Sequence, residues 1–458
     1  MDNLLNEMHT RKSVLNGWSA VLNLHQSALN GFVQHQWDTT STVSLCRRDK
    51  ADLAQLDFKL ASPQLRLRHR EATVDFDIQL LDAALKRGTL NAGAAASYSC
   101  QPDDPQVLWT TPQELHTDEK FSITGSVPLV MTGADTPENM RVELDFVNGS
   151  YELNCPQDLD AHLKGFAEQL RQWFTTKARR PVIVAFKFKP ADKGRHIRPT
   201  KWLLNATLTD AGTPILQLFM ATKNRQPTNA ALNLHEPIPS DDGSTFTLII
   251  DSEVVVDDIV TEFNECPTQL KLVAVYDTVA NAVGNEMDTS AGDFASTAKI
   301  WYSQTSHPME YRGTIDFAGI LPNIENHADL GMNFVGSPRN GLVIEHYTDE
   351  GANIALDLSV NGNFPVHITG EGLEQRMSFS AGPLSVDAIG MAEYAVKAQL
   401  EDFLNNDIKN SLTSISFDPV SNLLLDQLSF AGHSPKITTA QLPGDFVVAG
   451  VFKKTASE

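Results

Sequence analysis

Alternation of apolar and polar residues is the feature that most limits how this chain can fold. In one such stretch the apolar residues are Val74, Phe76, Ile78 and Leu80, with a polar residue between each pair. A period of two puts every second side chain on the same face of a β-strand, so one face is apolar and the other is wet. Strands of this kind belong to antiparallel sheets that cover a core on one side. The sequence therefore predicts extensive antiparallel sheet.

Three other segments carry apolar residues at three- and four-residue spacing, the period of an amphipathic helix. They are residues 13–37, 156–177 and 387–412. Pro156 suits the first turn of the second segment, because the N–H that proline lacks would have no helical partner there. We expect each long helix to lie on antiparallel sheet, which gives an α+β fold. Helices do not alternate with single strands, so a parallel sheet is disfavoured.

Two Asn-Gly pairs, at Asn148 and Asn361, each stand between alternating stretches. Both residues tolerate the positive φ of a type I′ turn, so each pair predicts a β-hairpin. The surrounding segments, residues 144–149 and 356–362, resemble each other, and each precedes a predicted long helix. Two explanations of this likeness stay open: an internal repeat, or a chance similarity between two hairpins.

Polar stretches that contain Gly or Pro mark the expected domain boundaries, at residues 189–198, 224–244 and 280–292. Its 458 residues suffice for two or three domain-sized cores. We divide the chain into an N-terminal module (1–190), a strand-rich connection (191–243) and a C-terminal module (244–458).

The balance of 36 basic against 57 acidic residues gives a net charge of −21. Nucleic-acid binding needs a basic footprint, so we expect no nucleic-acid partner. The main basic stretch contains Lys177, Arg179, Arg180, Lys187, Lys189, Lys193, Arg195 and Arg198. It could meet lipid headgroups or phosphate, or it could be the solvated end of a helix.

Neither a membrane span nor a secretory signal is expected. No apolar run approaches the ~20 residues that a transmembrane helix needs, and the first residues lack a basic region followed by an apolar one. We expect a protein that is cytoplasmic as synthesised and that would leave the cell without a standard signal peptide. The four cysteines, Cys46, Cys100, Cys155 and Cys266, are widely spaced, which favours four free thiols over a disulfide framework or a zinc site.

Sequence motifs of the common enzyme classes are missing: no phosphate-binding loop, dinucleotide fingerprint, zinc-protease motif or nucleophile elbow occurs. The segments 240–243 and 370–372 are interpreted as turns, and His235 has no second histidine at helical spacing. We therefore expect no enzyme activity, no catalytic residues, no metal and no cofactor. A hydrolase whose carboxylates meet only in the folded chain is an alternative, although no pair stands out.

Three segments resemble a known family. They are "GWSAVLNLHQSALNGFVQHQW" (17–37), "STFTLIIDSEVVVDDIV" (244–260) and "LSFAGHSPKITTAQLPGDFVVAGVF" (428–452). All three resemble the tubular lipid-binding (TULIP) superfamily, in particular the OrfX-type and forty-seven-kilodalton accessory proteins of botulinum neurotoxin gene clusters. Because the segments lie near the start, middle and end, the resemblance spans essentially the whole chain.

The resemblance implies an elongated molecule in which curved antiparallel sheets wrap long helices and leave an apolar groove. It implies a non-enzymatic protein of a bacterial toxin-like, virulence-type system that binds lipid or another apolar ligand. The helix stripes then assign the ligand to Trp18, Leu22, Leu29, Phe32, Phe166, Leu170 and Trp173. The alternatives are that these residues are plain core, and that the protein is a structural or chaperone accessory without a lipid ligand. Such an accessory would bind a toxin or sister protein from the same gene cluster through an exposed edge or patch.

Overall fold

A computed structural model gives the fold of most of the chain. It describes residues 13–49, 52–69, 71–91, 100–115, 121–133, 139–154, 164–177, 180–188, 198–222, 237–239, 243–251, 416–441 and 445–455, the strands between residues 271 and 389, and a few single residues outside these ranges.

Strands dominate the described residues, and three helices accompany them. The helices are α1 (Gln26–Gln36), α2 (Ala167–Lys177) and α3 (Val420–Asp426). The strands up to residue 250 are β1 (Ala20–His25), β2 (Thr42–Asp49), β3 (Asp52–Leu60), β4 (Gln64–Leu67), β5 (Thr73–Leu90), β6 (Val107–Trp109), β7 (Gln113–Glu114), β8 (Ser122–Thr132), β9 (Arg141–Leu144), β10 (Ser150–Asn154), β11 (Val182–Phe186), β12 (Pro199–Leu208), β13 (Pro214–Thr222) and β14 (Phe246–Ile250). The later strands are β15 (Lys271–Val275), β16 (Ala291–Trp301), β17 (Pro308–Asn323), β18 (Leu330–Gly336), β19 (Leu342–His346), β20 (Asn353–Thr369), β21 (Arg376–Phe379), β22 (Ser385–Ile389), β23 (Ser416–Phe417), β24 (Leu428–Ser429), β25 (His433–Gln441) and β26 (Phe446–Lys454).

A central sheet joins distant parts of the chain. Its order is β12-β13-β1-β14-β26-β25, and all neighbours are antiparallel. β1 and β14 are buried along almost their whole length because both of their faces are covered. The three predicted modules all contribute strands to this sheet, and their boundaries stay a prediction.

The second sheet curls into a half-barrel, with the order β2-β3-β5-β8-β9-β11-β24. β5 is the longest strand of this sheet, and along most of its length buried residues alternate with half-buried ones, as the sequence predicts. Asp82 in β5 has a φ of 51°, and the pairing register shifts between Asp57 and Lys59 of the facing strand. Such a bulge bends a strand and increases its twist, so it contributes to the curl of the sheet.

A third antiparallel sheet contains the strands between residues 271 and 417, in the main order β15-β16-β17-β18-β20-β21-β23. Antiparallel pairing throughout the described strands confirms the expectation against a parallel sheet.

The main core lies between the half-barrel and one face of the central sheet. We call this face the inner face; Leu22, Leu24 and Leu248 belong to it. The opposite, back face carries a separate apolar cluster that includes Trp18, Val21, Phe219, Ile249 and Val447. Because side chains alternate along each strand, one strand supplies residues to both cores.

The long first helix predicted over residues 13–37 is wrong in its first half. Residues 14–17 form a turn in which Asn16 and Gly17 have φ values of 48° and 87°. The strand β1 follows, and α1 begins only at Gln26. An apolar run such as Val21-Leu22 fits a buried strand as well as a helix stripe, so periodicity alone could not separate the two.

The other two predicted helices are only partly described. α2 covers the second half of the segment 156–177, after a single 3-10 turn at Lys164–Phe166, and residues 156–163 lie outside the described residues. The start of the segment 387–412 is wrong, since Asp387 belongs to strand β22. The rest of that segment lies outside the described residues.

Neither predicted hairpin forms. β9 and β10, on either side of Asn148, both pair with β8 and not with each other. Asp145 binds the backbone N–H of Val147 (3.2 Å) and the side-chain amide of Asn148 (2.6 Å), which holds a 3-10 turn where Gly149 has a φ of −77°. At the second site β20 continues straight through Asn361. The hairpins that suggested an internal repeat are therefore absent.

The expectation of four free thiols is wrong for two of them. Cys46 and Cys100 form a disulfide with Cα atoms 5.6 Å apart, although 54 residues separate them in sequence. Sequence spacing says nothing about distance in a sheet, where remote segments lie side by side. Cys155 and Cys266 lie outside the described residues. Within the described part of the chain, no helix is long and apolar enough to span a membrane.

Candidate apolar ligand site

Helix α1 covers the interior of the half-barrel with one apolar side. Ala28, Leu29, Phe32 and Val33 recur at three- and four-residue spacing and are all buried. The helix starts directly after β1, where the His25 imidazole Nδ1 accepts a hydrogen bond from the backbone N–H of Ser27 at 3.1 Å. This cap satisfies one of the N–H groups that the first helical turn leaves without a partner.

Two side-chain amides attach one flank of α1 to strand β4. The backbone N–H of Leu67 donates to Gln26 Oε1 at 2.9 Å, and that of Leu65 donates to Asn30 Oδ1 at 2.7 Å. Gln26 and Asn30 are four residues apart and so lie on the same side of the helix. They cover donors on a strand edge that would otherwise need another strand or water.

The other end of α1 is attached to β11 in the same way. The side-chain amide of Gln36 donates to the carbonyl of Val182 (2.8 Å), and its Oε1 accepts from the N–H of the same residue (3.0 Å). α1 thus lies between β4 and β11 and closes the curled sheet over its apolar interior. Polar side chains, in place of a strand ladder, form both seams.

Two groups of aromatic rings lie in the interior. The Phe32 group contains Phe32, Phe246, Phe430, His433 and Phe452, with neighbouring ring centroids 4.7–5.9 Å apart. The Phe174 group contains Trp37, Phe76, Phe146, Tyr151, Trp173 and Phe174, with neighbouring centroids 4.5–5.9 Å apart. These separations are typical of favourable aromatic pairs.

Helix α2 supplies Trp173 and Phe174 to the Phe174 group. The Phe174 ring stacks on Tyr151 at 4.5 Å, and the Tyr151 hydroxyl donates to the carbonyl of Phe146. Burial and then the nearby Asp145 carboxylate raise the pKa of Tyr151 well above its ordinary value, so the hydroxyl keeps its proton and remains a donor.

The structure brings together six of the seven residues that the sequence assigned to a ligand. Leu22, Leu29, Phe32, Phe166 and Leu170 are buried in the main core, and Trp173 is half-buried beside them. Trp18 lies on the back face of the central sheet, 5.5 Å from Phe219 between ring centroids. Trp18 lies on this face because the strand β1 follows it in place of the expected helix. Ligand contact by these residues stays a prediction.

Several residues that shape this site were not predicted. Gln26, Asn30 and Gln36 flank the apolar stripe of α1. Phe430, directly after β24, and Phe452 of β26 complete the interior. The spacing of Gln26 and Asn30 along the stripe is visible in the sequence. Their strand partners are not, because those depend on how the sheet curls.

Only part of the basic stretch lies among the described residues, and two of its arginines make contacts within the fold. Arg180 Nε lies 3.3 Å from the buried carboxylate of Asp145, and the guanidinium of Arg198 lies over the ring of Phe188 at 5.4 Å. Among the described residues, no three histidine, cysteine, aspartate or glutamate side chains come together as a metal site would require.

A curled antiparallel half-barrel, closed by a helix over an apolar interior and joined to a central sheet, is a TULIP-type fold. The crystal structure of P47 of Clostridium botulinum E1 shares this fold at a TM-score of 0.57 and 12% identity, over 96% of this chain and 100% of that one. P47 from Clostridium botulinum A2 aligns at a TM-score of 0.54 and 9% identity, over 95% and 98% of the two chains.

A crystal structure of lipopolysaccharide binding protein aligns less closely, with a TM-score of 0.43 and 11% identity over 96% of this chain and 100% of that one. No protein-family model matches the sequence, and no curated protein matches it. At these identities the similarity establishes the fold alone. The resemblance to the TULIP superfamily is confirmed at that level.

Proposed function

We propose that this chain is a non-enzymatic protein that binds lipid or another apolar ligand inside the half-barrel. The observation that carries the proposal is the way α1 closes the interior: its inner side is apolar, while both of its seams are polar. The proposal also makes the protein an accessory of a bacterial toxin-like system, which the likeness of its fold to P47 of Clostridium botulinum supports.

The seams of α1 suit a ligand that enters by parting the helix from the sheet. Four hydrogen bonds hold the seams, and each contributes only about 0.5–1.5 kcal/mol net, since water replaces it when it breaks. Opening also exposes the apolar side of α1, which is the larger cost. An acyl chain would offset that cost, because each buried CH₂ contributes about 0.8 kcal/mol.

The proposal is tested by weakening one seam and following ligand uptake. Gln36→Ala removes both hydrogen bonds to Val182, which should lower the free energy needed to part α1 from the sheet by ~1.4 kcal/mol. We therefore expect a fluorescent fatty acid to enter roughly tenfold faster. Gln34→Ala is the matched control, because Gln34 is exposed on the same helix. Val447→Ala, in the back-face cluster, controls for a general loss of stability.

Native mass spectrometry of the purified wild-type protein gives the second measurement. A co-purifying or saturably added lipid is expected. If the wild-type protein takes up no lipid under either condition, the interior is plain core and the accessory protein acts without a lipid ligand. Equal acceleration of uptake by Gln36→Ala and Val447→Ala would reject entry at the α1 seam while leaving apolar-ligand binding intact.

A further inference from the structure

A short strap, residues 100–104, crosses the outer face of the half-barrel. Beneath it, Cys46 of β2, Gln55 of β3 and Lys86 of β5 are direct neighbours across three adjacent strands. The residues beside them in sequence are buried in the main core: Leu45, Leu56 and Leu85. Because side chains alternate along a strand, the row Cys46-Gln55-Lys86 faces away from that core.

The strap is attached to each of the three strands. Cys100 forms the disulfide with Cys46. The backbone N–H of Asp103 donates to Gln55 Oε1 at 2.8 Å, and the Asp103 carboxylate accepts from Lys86 Nζ at 2.9 Å. Gln55 is fully buried although it is on the outer face, so the strap shields it from water.

The disulfide is the strongest of these attachments. The Asp103 side chain is 68% exposed, so water screens its ion pair with Lys86. Asp103 also has a φ of 53°, a left-handed conformation that residues other than glycine keep only where their surroundings hold it. Breaking the disulfide should therefore let the strap leave the sheet.

The strand that carries Cys46 also contacts the start of α2. Among the described strands, β2 pairs only with β3. The Arg47 guanidinium lies 5.9 Å from the centre of the Phe166 ring, and so close to Gly165 that a β-carbon there would overlap it. Phe166 is in turn buried in the main core. The strap, β2 and the start of α2 are thus connected through consecutive contacts.

We propose that Cys46 and Cys100 form a redox switch that sets how firmly β2 and α2 cover the interior. In the closed state the two cysteines are joined. In the open state both are thiols, the strap leaves Gln55, and β2 and α2 become mobile. Reducing cytosols keep thiols free, whereas disulfides persist outside cells, so the two states correspond to these two surroundings. Faster ligand entry beside α2 in the open state rests on the proposed function.

A dithiol of the thioredoxin class supplies the electrons. Its first thiolate attacks one sulfur of the disulfide, which gives a mixed disulfide and releases the other cysteine as a thiolate that takes up a proton. The second thiol of the reductant then displaces the remaining cysteine and closes the reductant's own disulfide. Two electrons and two protons thus pass to Cys46 and Cys100, both of which are only half-buried.

Hydrogen exchange of the full-length protein with and without dithiothreitol tests the switch. Labelling for minutes is short enough that amides which need global unfolding stay protected. After reduction, peptides that cover residues 43–49 and 166–174 are expected to exchange at least about tenfold faster, while β13 and β14 stay protected. Equal exchange in both states, loss of protection in β13 as well, or failure of the reductant to free Cys46 and Cys100 for alkylation would overturn the proposal.

Two variants separate the disulfide from the other attachments of the strap. Cys100→Ser should exchange like the reduced wild type whether or not reductant is present. Lys86→Ala removes the ion pair to Asp103 and keeps the disulfide, so it should exchange like the oxidised wild type. If Lys86→Ala alone opens the strap, the disulfide does not control it and the proposal fails.

Uptake of a fluorescent fatty acid gives the functional readout. Reduction should speed its entry severalfold in the wild type and have no effect on its entry into Cys100→Ser. Unchanged entry into the reduced wild type, alongside faster exchange, would overturn the link to the ligand. If neither state takes up fatty acid, the proposed function fails, and hydrogen exchange alone decides on the switch.

Discussion

At the scale of single residues, polar side chains decide where the backbone turns. Asp145 is buried and binds both the N–H of Val147 and the amide of Asn148, and this converts a sequence that predicts a hairpin into a 3-10 turn. Tyr151 secures the same turn from inside by its bond to the Phe146 carbonyl. The Asn-Gly signal is local, whereas the competing partners come from the folded surroundings, so the sequence alone could not have ranked them.

Tyr151→Phe tests this arrangement. The variant keeps the stacking on Phe174 and loses the hydroxyl, so we expect the free energy of unfolding to fall by about 1 kcal/mol, as for a typical internal hydrogen bond. Chemical denaturation at pH 7 measures it. Because folding raises the pKa of Tyr151, the folded state holds this proton more tightly than the unfolded state. The stability gap between wild type and variant should therefore narrow as the pH rises above ~10. An unchanged or raised stability at pH 7 would show that the bond contributes nothing.

At the scale of helices and strands, alternation proved a better guide than the helical period. β5 has the alternating burial that its sequence predicts, whereas the helical stripe of residues 13–37 is divided between β1 and α1. Strict alternation over a whole strand length is incompatible with the period of a helix, so it leaves little ambiguity. A short apolar run, by contrast, fits a strand that is covered on both faces, and only the central sheet reveals that cover.

The disulfide between Cys46 and Cys100 joins β2 to the chain beyond β5. Closing a loop across 54 residues restricts the unfolded chain, which stabilises the fold by roughly 4 kcal/mol in the chain-entropy model. We expect Cys100→Ser to lower the free energy of unfolding by about 2–4 kcal/mol, measured by urea denaturation. Reductant should reproduce most of that loss in the wild type and have no such effect in Cys100→Ser. A loss below ~0.5 kcal/mol would mean that the bond does not form in solution.

At the scale of the whole molecule, the central sheet makes distant segments depend on one another. β1 lies between β13 and β14, and β14 in turn pairs with β26. The sequence predicted the extensive antiparallel sheet, and segments at the start, middle and end of the chain predicted the resemblance to TULIP proteins. The predicted long helices and elongated shape are not confirmed. The sequence could not predict that strands from these regions share one sheet, because no local pattern encodes pairing between strands so far apart in sequence.

A truncation tests this dependence. The fragment 1–190 contains β1 without either of its neighbours, so Leu22, Leu24 and Val21 would lose much of their cover. We expect the fragment to lack a cooperative thermal transition and to recover one when the fragment 191–458 is added. Cooperative unfolding of the isolated fragment, seen by calorimetry, would instead show an autonomous N-terminal module.

The central claim is that an apolar ligand occupies the interior beneath α1. The most direct measurement uses a fatty acid with a photoreactive diazirine in its chain, followed by peptide mass spectrometry of the labelled full-length protein. We expect labels on the peptides that contain Leu29 and Phe32 in α1 and Leu170 in α2, all of which an excess of unlabelled fatty acid suppresses. Labels confined to exposed strands, or labels that excess fatty acid leaves unchanged, would contradict the claim.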